Sequence, residues 1–331
     1  MPSALSLSCL ILIVSCVKAI KPLIGNHSQS VKYKPVLLMH GIDGTCKDFE
    51  HVIPWLQKSH PGTLTYCIPK FEGTPMSWIA LPLQIPSIIK NITNYIAQNP
   101  ADFEDGYHLV CHSQGGLICR AITEMMDDHK IHTLVRYTWL ALSLEFCSEI
   151  MTLFQSLLHG PRSHHFTTVW GKDFFNGIRI PIFENLTRDQ IYRLAYLPEA
   201  QATLSVANMW NDPAHFSLYE EKNTFLPYIN GEKEDAQRLK VVNLQLAQQQ
   251  LLVVRYDGGI EPWQSGVWGY VDGSGKEVQM EHLSIFVNDT FGLRTLNETG
   301  RLKVQRVSRA GHDSWVEDET TFNTYILPHL I

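Results

Sequence analysis

The signatures that would name a function at once are missing from this 331-residue chain. It has no Gly-x-Gly-x-x-Gly and no Walker loop, hence no glycine-rich cradle for a nucleotide phosphate, and no cofactor is expected. Cys-x-x-Cys and His-Glu-x-x-His spacings are also absent, so no metal site is expected. Long basic runs are lacking and the net charge is -6, which argues against nucleic acid as the main partner. There is no internal repeat and no low-complexity tract. After the first residues no uncharged apolar stretch is long enough for a membrane span. With 44% hydrophobic and 18% charged residues, what remains is an ordinary globular chain with ample length for a core.

What is present begins at the N-terminus. Leu5 to Val17 is apolar, uncharged and too short to cross a bilayer comfortably. Val17-Lys18-Ala19 then places small residues where a signal peptidase reads, so residues 1–19 read as a secretory signal peptide. The sequons at Asn26, Asn91, Asn185, Asn288 and Asn297 fit that route and are candidate glycosylation sites. Beyond the leader the cysteines are Cys46, Cys67, Cys111, Cys119 and Cys147. Secretion permits disulfides, but an odd count leaves one thiol unpaired or bridged to another chain.

Four apolar, β-rich runs stop at loops carrying a reactive residue type. Pro35–Met39 stops at His40-Gly-Ile-Asp-Gly44, and Tyr107–Cys111 at Ser113. Leu251–Arg255 stops at Asp257, and Leu302–Val307 at Gly311-His312. Apolar on both faces, such strands predict a parallel sheet covered on both sides. Helices are predicted over Lys47–Lys58, Ile85–Ala97, Gly115–Asp128 and Asp318–Leu330. The alternation predicts an α/β fold, a mostly parallel sheet with helices on both faces, with its ligand site at the carboxyl ends of the strands. Residues 136–235, rich in aromatics and poor in strand signal, are expected to form a cap-like insertion in a single domain spanning residues 20–331. Extra helices packed beside the sheet are the competing assignment.

A serine hydroxyl attacks a carbonyl only when a base takes its proton, and that base needs an orienting carboxylate. The α/β-hydrolase arrangement places them in the chain order serine, acid, histidine. Ser113, Asp257 and His312 follow it, each just past a strand. Asp272 and Glu261 are rivals for the acid, and a turn serine and a surface histidine are the plain alternatives. His112 adjoins Ser113, where neighbouring side chains diverge, so it is a poor candidate for the base. Backbone N–H groups of Gln114 and of Ile42 are the expected oxyanion donors. His40 is expected to support the shape of the Ile42 loop.

These stretches resemble the palmitoyl-protein thioesterase family, in its type-2, lysosomal branch. The matching motifs include His40-Gly-Ile-Asp-Gly44, His60-Pro-Gly-Thr63, Tyr107 to Ala121, Trp210-Asn-Asp-Pro213 and Phe225 to Glu232. Asp257 to Ser265, Gly266-Val-Trp-Gly-Tyr270 and Asp289-Thr-Phe-Gly-Leu293 continue the pattern. The resemblance implies an α/β-hydrolase fold with a cap or lid, a triad on Ser113, Asp257 and His312, and cleavage of fatty-acyl thioesters in the lysosome. Acyl-CoA and S-acylated peptides are the implied substrates, and secretion is the alternative destination. The triad does not distinguish a sulfur from an oxygen leaving group, so a lipase or carboxylesterase is one alternative; residues 136–182 depart from the family pattern, which leaves a catalytically impaired binding homologue as another.

In the elbow pattern Gly-x-Ser-x-Gly the first glycine is here Cys111. With Cys119 in the second turn of the following helix, a Cys111–Cys119 disulfide would clamp the elbow. Two buried free thiols are the alternative.

Overall fold

The structure is a computed structural model, described here for residues 32–137, 194–211, 215–233, 236–254, 263–271, 276–307 and 311–331. The predicted leader, Cys147, Asn26 and Asn185 lie outside the described residues.

Six strands form one parallel sheet: β1 (Val36–Met39), β2 (Thr65–Cys67), β3 (Tyr107–His112), β4 (Ile131–Tyr137), β5 (Gln248–Val254) and β8 (Leu302–Val307). Their spatial order is β2-β1-β3-β4-β5-β8. A small antiparallel pair, β6 (Tyr270–Val271) and β7 (Glu277–Val278), stands apart from it. After β1 the chain runs to one side of it as β2 and then returns to its other side as β3. The crevice between the carboxyl ends of β1 and β3 is therefore a topological switch point, where open parallel sheets bind their ligands.

The continuous apolar strands are explained by two packed layers. Leu37, Met39, Leu109 and Cys111 face a core that contains α2 (Leu81–Gln98) and α3 (Gln114–Met125). Val36, Leu38 and Val110 face the opposite core, against α1 (Val52–Ser59) and the C-terminal Trp315 and Phe322. Helix α2 begins four residues before the predicted start, because Pro82 occupies its first turn, where a missing N–H is no loss. Of the predicted C-terminal helix, Asp318–Leu330, only Glu319–Tyr325 is α-helical, and a 3-10 turn, Leu327–His329, follows it. Asp318 caps that helix by accepting from Thr320 N–H (3.3 Å) and Thr321 N–H (2.9 Å), and the chain turns off before Pro328.

Strand β4 extends to Tyr137, so the segment expected to form a cap starts after it, and residues 138–193 lie outside the described residues. From residue 198 to 243 the described chain is helical: α4 (Pro198–Thr203), α5 (Ser205–Asn208), α6 (Phe216–Lys222), α7 (Leu226–Ile229) and α8 (Ala236–Asn243). Then follow α9 (Ser284–Val287), α10 (Leu293–Glu298), α11 (Ser314–Glu317) and α12 (Glu319–Tyr325). No helix among the described residues is long and apolar enough to cross a membrane. Of the sequons, Asn288 and Asn297 are exposed, whereas Asn91 lies half-buried within α2 and accepts from Tyr66 Oη at 2.9 Å.

His108 of β3 is fully buried, its ring edge-on to His132 at 5.4 Å, and neither ring nitrogen has a hydrogen-bond partner. Burial, helped by the positive charges of His132, Lys34 and His60, pulls its pKa down to about 3. The folded value lies below the unfolded one, so the contribution of neutral His108 is complete above about pH 6.5 and shrinks as pH falls. Between pH 7 and 5 this linkage removes about 2 kcal/mol of stability. His108→Phe should flatten the dependence of unfolding free energy on pH over that interval by a similar amount, measured by urea denaturation at each pH.

Candidate active site

Ser113 is the single residue between β3 and α3, and it is held at φ 52° and ψ -126°. A non-glycine residue at positive φ costs about 1–3 kcal/mol, and such strain persists only where the surroundings impose it. Here they do. A Cβ on Gly115 would lie 2.5 Å from the His40 carbonyl oxygen and 2.6 Å from that of Met39. One on Gly41 would lie 2.8 Å from Ser113 Cβ. Glycine at both positions lets the end of β1 pass directly beneath the elbow.

At Cys111 the elbow pattern's first glycine is replaced by half of a disulfide. Cys111 on β3 is bonded to Cys119 on α3, eight residues along, with a Cα–Cα distance of 6.6 Å. Strand and helix are thus cross-linked on either side of Ser113. A second disulfide, Cys46–Cys67, ties the turn beyond Gly44 to β2 across 21 residues. The sequence left that pairing open, since spacing alone does not choose among three cysteines.

His312 lies in the short loop between β8 and α11, and its Nε2 is 3.0 Å from Ser113 Oγ. This brings together two residues 199 positions apart at the distance proton transfer requires. His112 approaches the same loop from the other side. Its Nε2 lies 3.2 Å from the His312 carbonyl oxygen and 3.5 Å from Asp313 Oδ1, and its ring stacks on Tyr137 at 5.3 Å. This second histidine braces the backbone of the first, a contact that sequence order does not reveal. Donor atoms of His112, His312 and Asp313 lie within 4.8 Å of one another, a spacing open to a metal ion, but His312 is engaged with Ser113 through Nε2.

Asp257 and its rivals Glu261 and Asp272 lie outside the described residues. The strand preceding Asp257, β5, pairs with β8 up to Val254↔Val307, so both strands end at the edge where Ser113 sits.

The loop after β1 carries the first expected oxyanion donor. Gly44 N–H is bonded to Gly41 O (3.2 Å) and Asp43 N–H to Ser77 Oγ (2.8 Å), so the loop that carries the Ile42 N–H is held from within and from the Ser77 turn. The second donor, Gln114 N–H, belongs to the first residue of α3, where no intrahelical acceptor exists. His40, fully buried, contacts Gly41 O (2.9 Å) and Lys70 O (3.0 Å) through its two ring nitrogens, which fixes the start of the loop.

A parallel sheet, a strained serine elbow at its switch point and a histidine on the loop after the last strand define an α/β hydrolase. The family model described as palmitoyl protein thioesterase matches residues 35–312. The chain belongs to that family. It is 29% identical over 300 residues to the Homo sapiens lysosomal thioesterase PPT2, covering 90% of this chain and 88% of that protein. The Drosophila melanogaster lysosomal thioesterase PPT2 homolog is 27% identical over 305 residues, 92% of this chain and 94% of its own length. Among solved structures, carboxylesterase CesB from Bacillus subtilis is similar with a TM-score of 0.47 and 14% identity, over 91% of this chain and 84% of that one.

Proposed function

We propose that this chain hydrolyses fatty-acyl thioesters, acyl-CoA or S-acylated cysteine in peptides, through an acyl-enzyme on Ser113. The reading rests above all on the His312 Nε2–Ser113 Oγ contact of 3.0 Å at a strained elbow. Family membership supplies the thioester. Ser113 Oγ attacks the carbonyl carbon while its proton passes to His312 Nε2, with Asp257 assigned to hold the imidazole. The developing oxyanion is met by the N–H groups of Ile42 and Gln114. The C–S bond breaks, and the departing thiolate takes the proton from His312. Water then gives a proton to His312 and attacks the acyl carbon, releasing the fatty acid and restoring Ser113. The predicted leader and the lysosomal thioesterases among its relatives support a secretory route ending in the lysosome.

The test compares palmitoyl-CoA, an S-palmitoylated peptide and a matched palmitoyl oxygen ester, with a fluorophosphonate used to map the nucleophile. Faster cleavage of the thioesters and a single adduct on Ser113 are expected. A preference for the oxygen ester would make the protein a carboxylesterase. Absence of turnover and of the adduct, with fatty acid still bound, would make it an impaired homologue.

A further inference from the structure

Beyond the residues that touch the reacting atoms, we infer that Ser77 is the positioning residue of the oxyanion hole, fixing both of its halves at once. The inference rests on the reading of Ser113 as nucleophile. Ser77 lies in the 3-10 turn Met76–Trp78, between β2 and α2, and is 1% exposed. Its hydroxyl accepts from Asp43 N–H at 2.8 Å and donates to Gly73 O at 2.9 Å. Its carbonyl oxygen accepts from Gln114 Nε2 at 2.8 Å, from Gln84 Nε2 at 3.0 Å and from Ser205 Oγ at 3.3 Å. One residue thus grips the loop next to the Ile42 N–H with its side chain, and the Gln114 side chain with its backbone.

Three features separate this arrangement from ordinary core packing. First, the hydroxyl occupies the N–H of Asp43, the neighbour of the Ile42 N–H assigned to the oxyanion. Second, Asp43 is itself at φ 58°, a conformation a non-glycine residue holds only under constraint. The constraint comes from the same turn: Asp43 Oδ1 accepts from Trp78 Nε1 at 2.7 Å and from Thr74 Oγ1. Third, Gln114 is 3% exposed and its amide nitrogen donates to Ser77 O, so the start of α3 is tied to the same turn that holds Asp43 N–H. Because an oxyanion donor acts only over a narrow range of distance, a small displacement of either half loses transition-state binding and leaves substrate binding largely intact.

Ser77→Ala removes the hydroxyl and keeps the carbonyl. It should lower kcat by about 10- to 100-fold, less than the roughly 100- to 1000-fold that follows outright removal of an oxyanion donor because the donor is displaced and not lost, with KM moving by less than about twofold. The rate of fluorophosphonate labelling at Ser113 should fall in step with kcat, since that reaction also builds charge on an oxygen in the hole. Ser77→Thr, which restores the hydroxyl, should recover most of the loss. Trp78→Phe, which removes one of the hydrogen bonds to Asp43 Oδ1 and leaves that from Thr74 Oγ1, should give a smaller loss of the same kind. Unchanged kcat and labelling in Ser77→Ala, beside a wild type that labels at Ser113, would overturn this inference alone. So would a fall in activity matched by a fall in the folded fraction, with normal rates per folded molecule. A wild type that does not label at Ser113 would overturn the hydrolase reading together with it.

Discussion

Ser113→Ala should reduce thioester turnover by about 10⁴- to 10⁶-fold, the range seen when the nucleophile of a serine triad is removed. Ser113 Oγ is the only atom removed, and its hydrogen bond is to His312 Nε2. The fold does not lean on it: α3, the Cys111–Cys119 bridge and the close passage at Gly115 stay as they are. Alanine has the same Cβ as serine, so it meets the same strain at φ 52° and gains no backbone freedom. Thermal unfolding should therefore be nearly unchanged, KM should stay close to that of wild type, and fluorophosphonate labelling should vanish. The proposed oxyanion donors, Ile42 N–H and Gln114 N–H, are untouched by the substitution, so a small residual rate above the uncatalysed reaction is expected. Turnover in the alanine variant within tenfold of wild type (about 1.4 kcal/mol in barrier) would remove Ser113 from the mechanism.

The elements that positioned this site were legible in the sequence for a physical reason. β1, β3 and β5 lie within the sheet and their apolar runs are long enough to see, whereas β8, an edge strand buried only at Leu302 and Val307, is marked by its alternation and by the loop it ends at. β2 and β4 were not legible. Thr65-Tyr-Cys67 is three residues long, on the edge of the sheet and only half-buried, so it carries little hydrophobic signal. Ile131–Tyr137 holds His132 and Arg136, which in isolation argue against a central strand. Arg136 is tolerated there because its guanidinium lies 4.7 Å from the centre of the Trp268 ring and because Gln249, with its amide oxygen turned inward, accepts from Nη2 at 2.9 Å and Nε at 3.2 Å. Both partners are more than a hundred residues away in the chain. The site divides in the same way. Ser113 and His312 follow a chain order that can be read along the sequence, whereas Ser77 and the bracing contact of His112 exist only once loops from distant segments meet. No composition or spacing in Thr74-Pro-Met-Ser-Trp78 marks its serine out.

Glu124→Leu should cost about 3–5 kcal/mol of folding stability, the usual result of leaving a buried cation without its partner. Glu124 and Arg120 lie one turn apart on α3, 2.9 Å between Oε1 and Nε, both at most 1% exposed. Arg136 adds a second guanidinium to the same interior, and the Glu124 carboxylate is attracted by both. Burial pushes the Glu124 carboxyl upward despite both arginines, and burial together with Arg120 holds Arg136 well below its ordinary value. The interior thus resists charge on both sides, and attraction between the two groups together with their hydrogen bond opposes that cost. Arg120 makes further contacts: Nη1 donates to Asn230 Oδ1 at 2.9 Å, Nη2 to Ile229 O at 2.6 Å, and the guanidinium lies 4.3 Å from the centre of the Phe291 ring. Removing both partners is therefore a different experiment. Arg120→Leu with Glu124→Leu should recover part of the stability lost by Glu124→Leu alone, since well-packed apolar residues often replace a buried pair without loss. The double variant should nevertheless be less active at raised temperature, because the link from the nucleophile's helix to Ile229 and Asn230 is gone. Urea denaturation of the two single variants and the double gives the coupling directly, and additivity of the two single losses would show that the pair does not act as a unit.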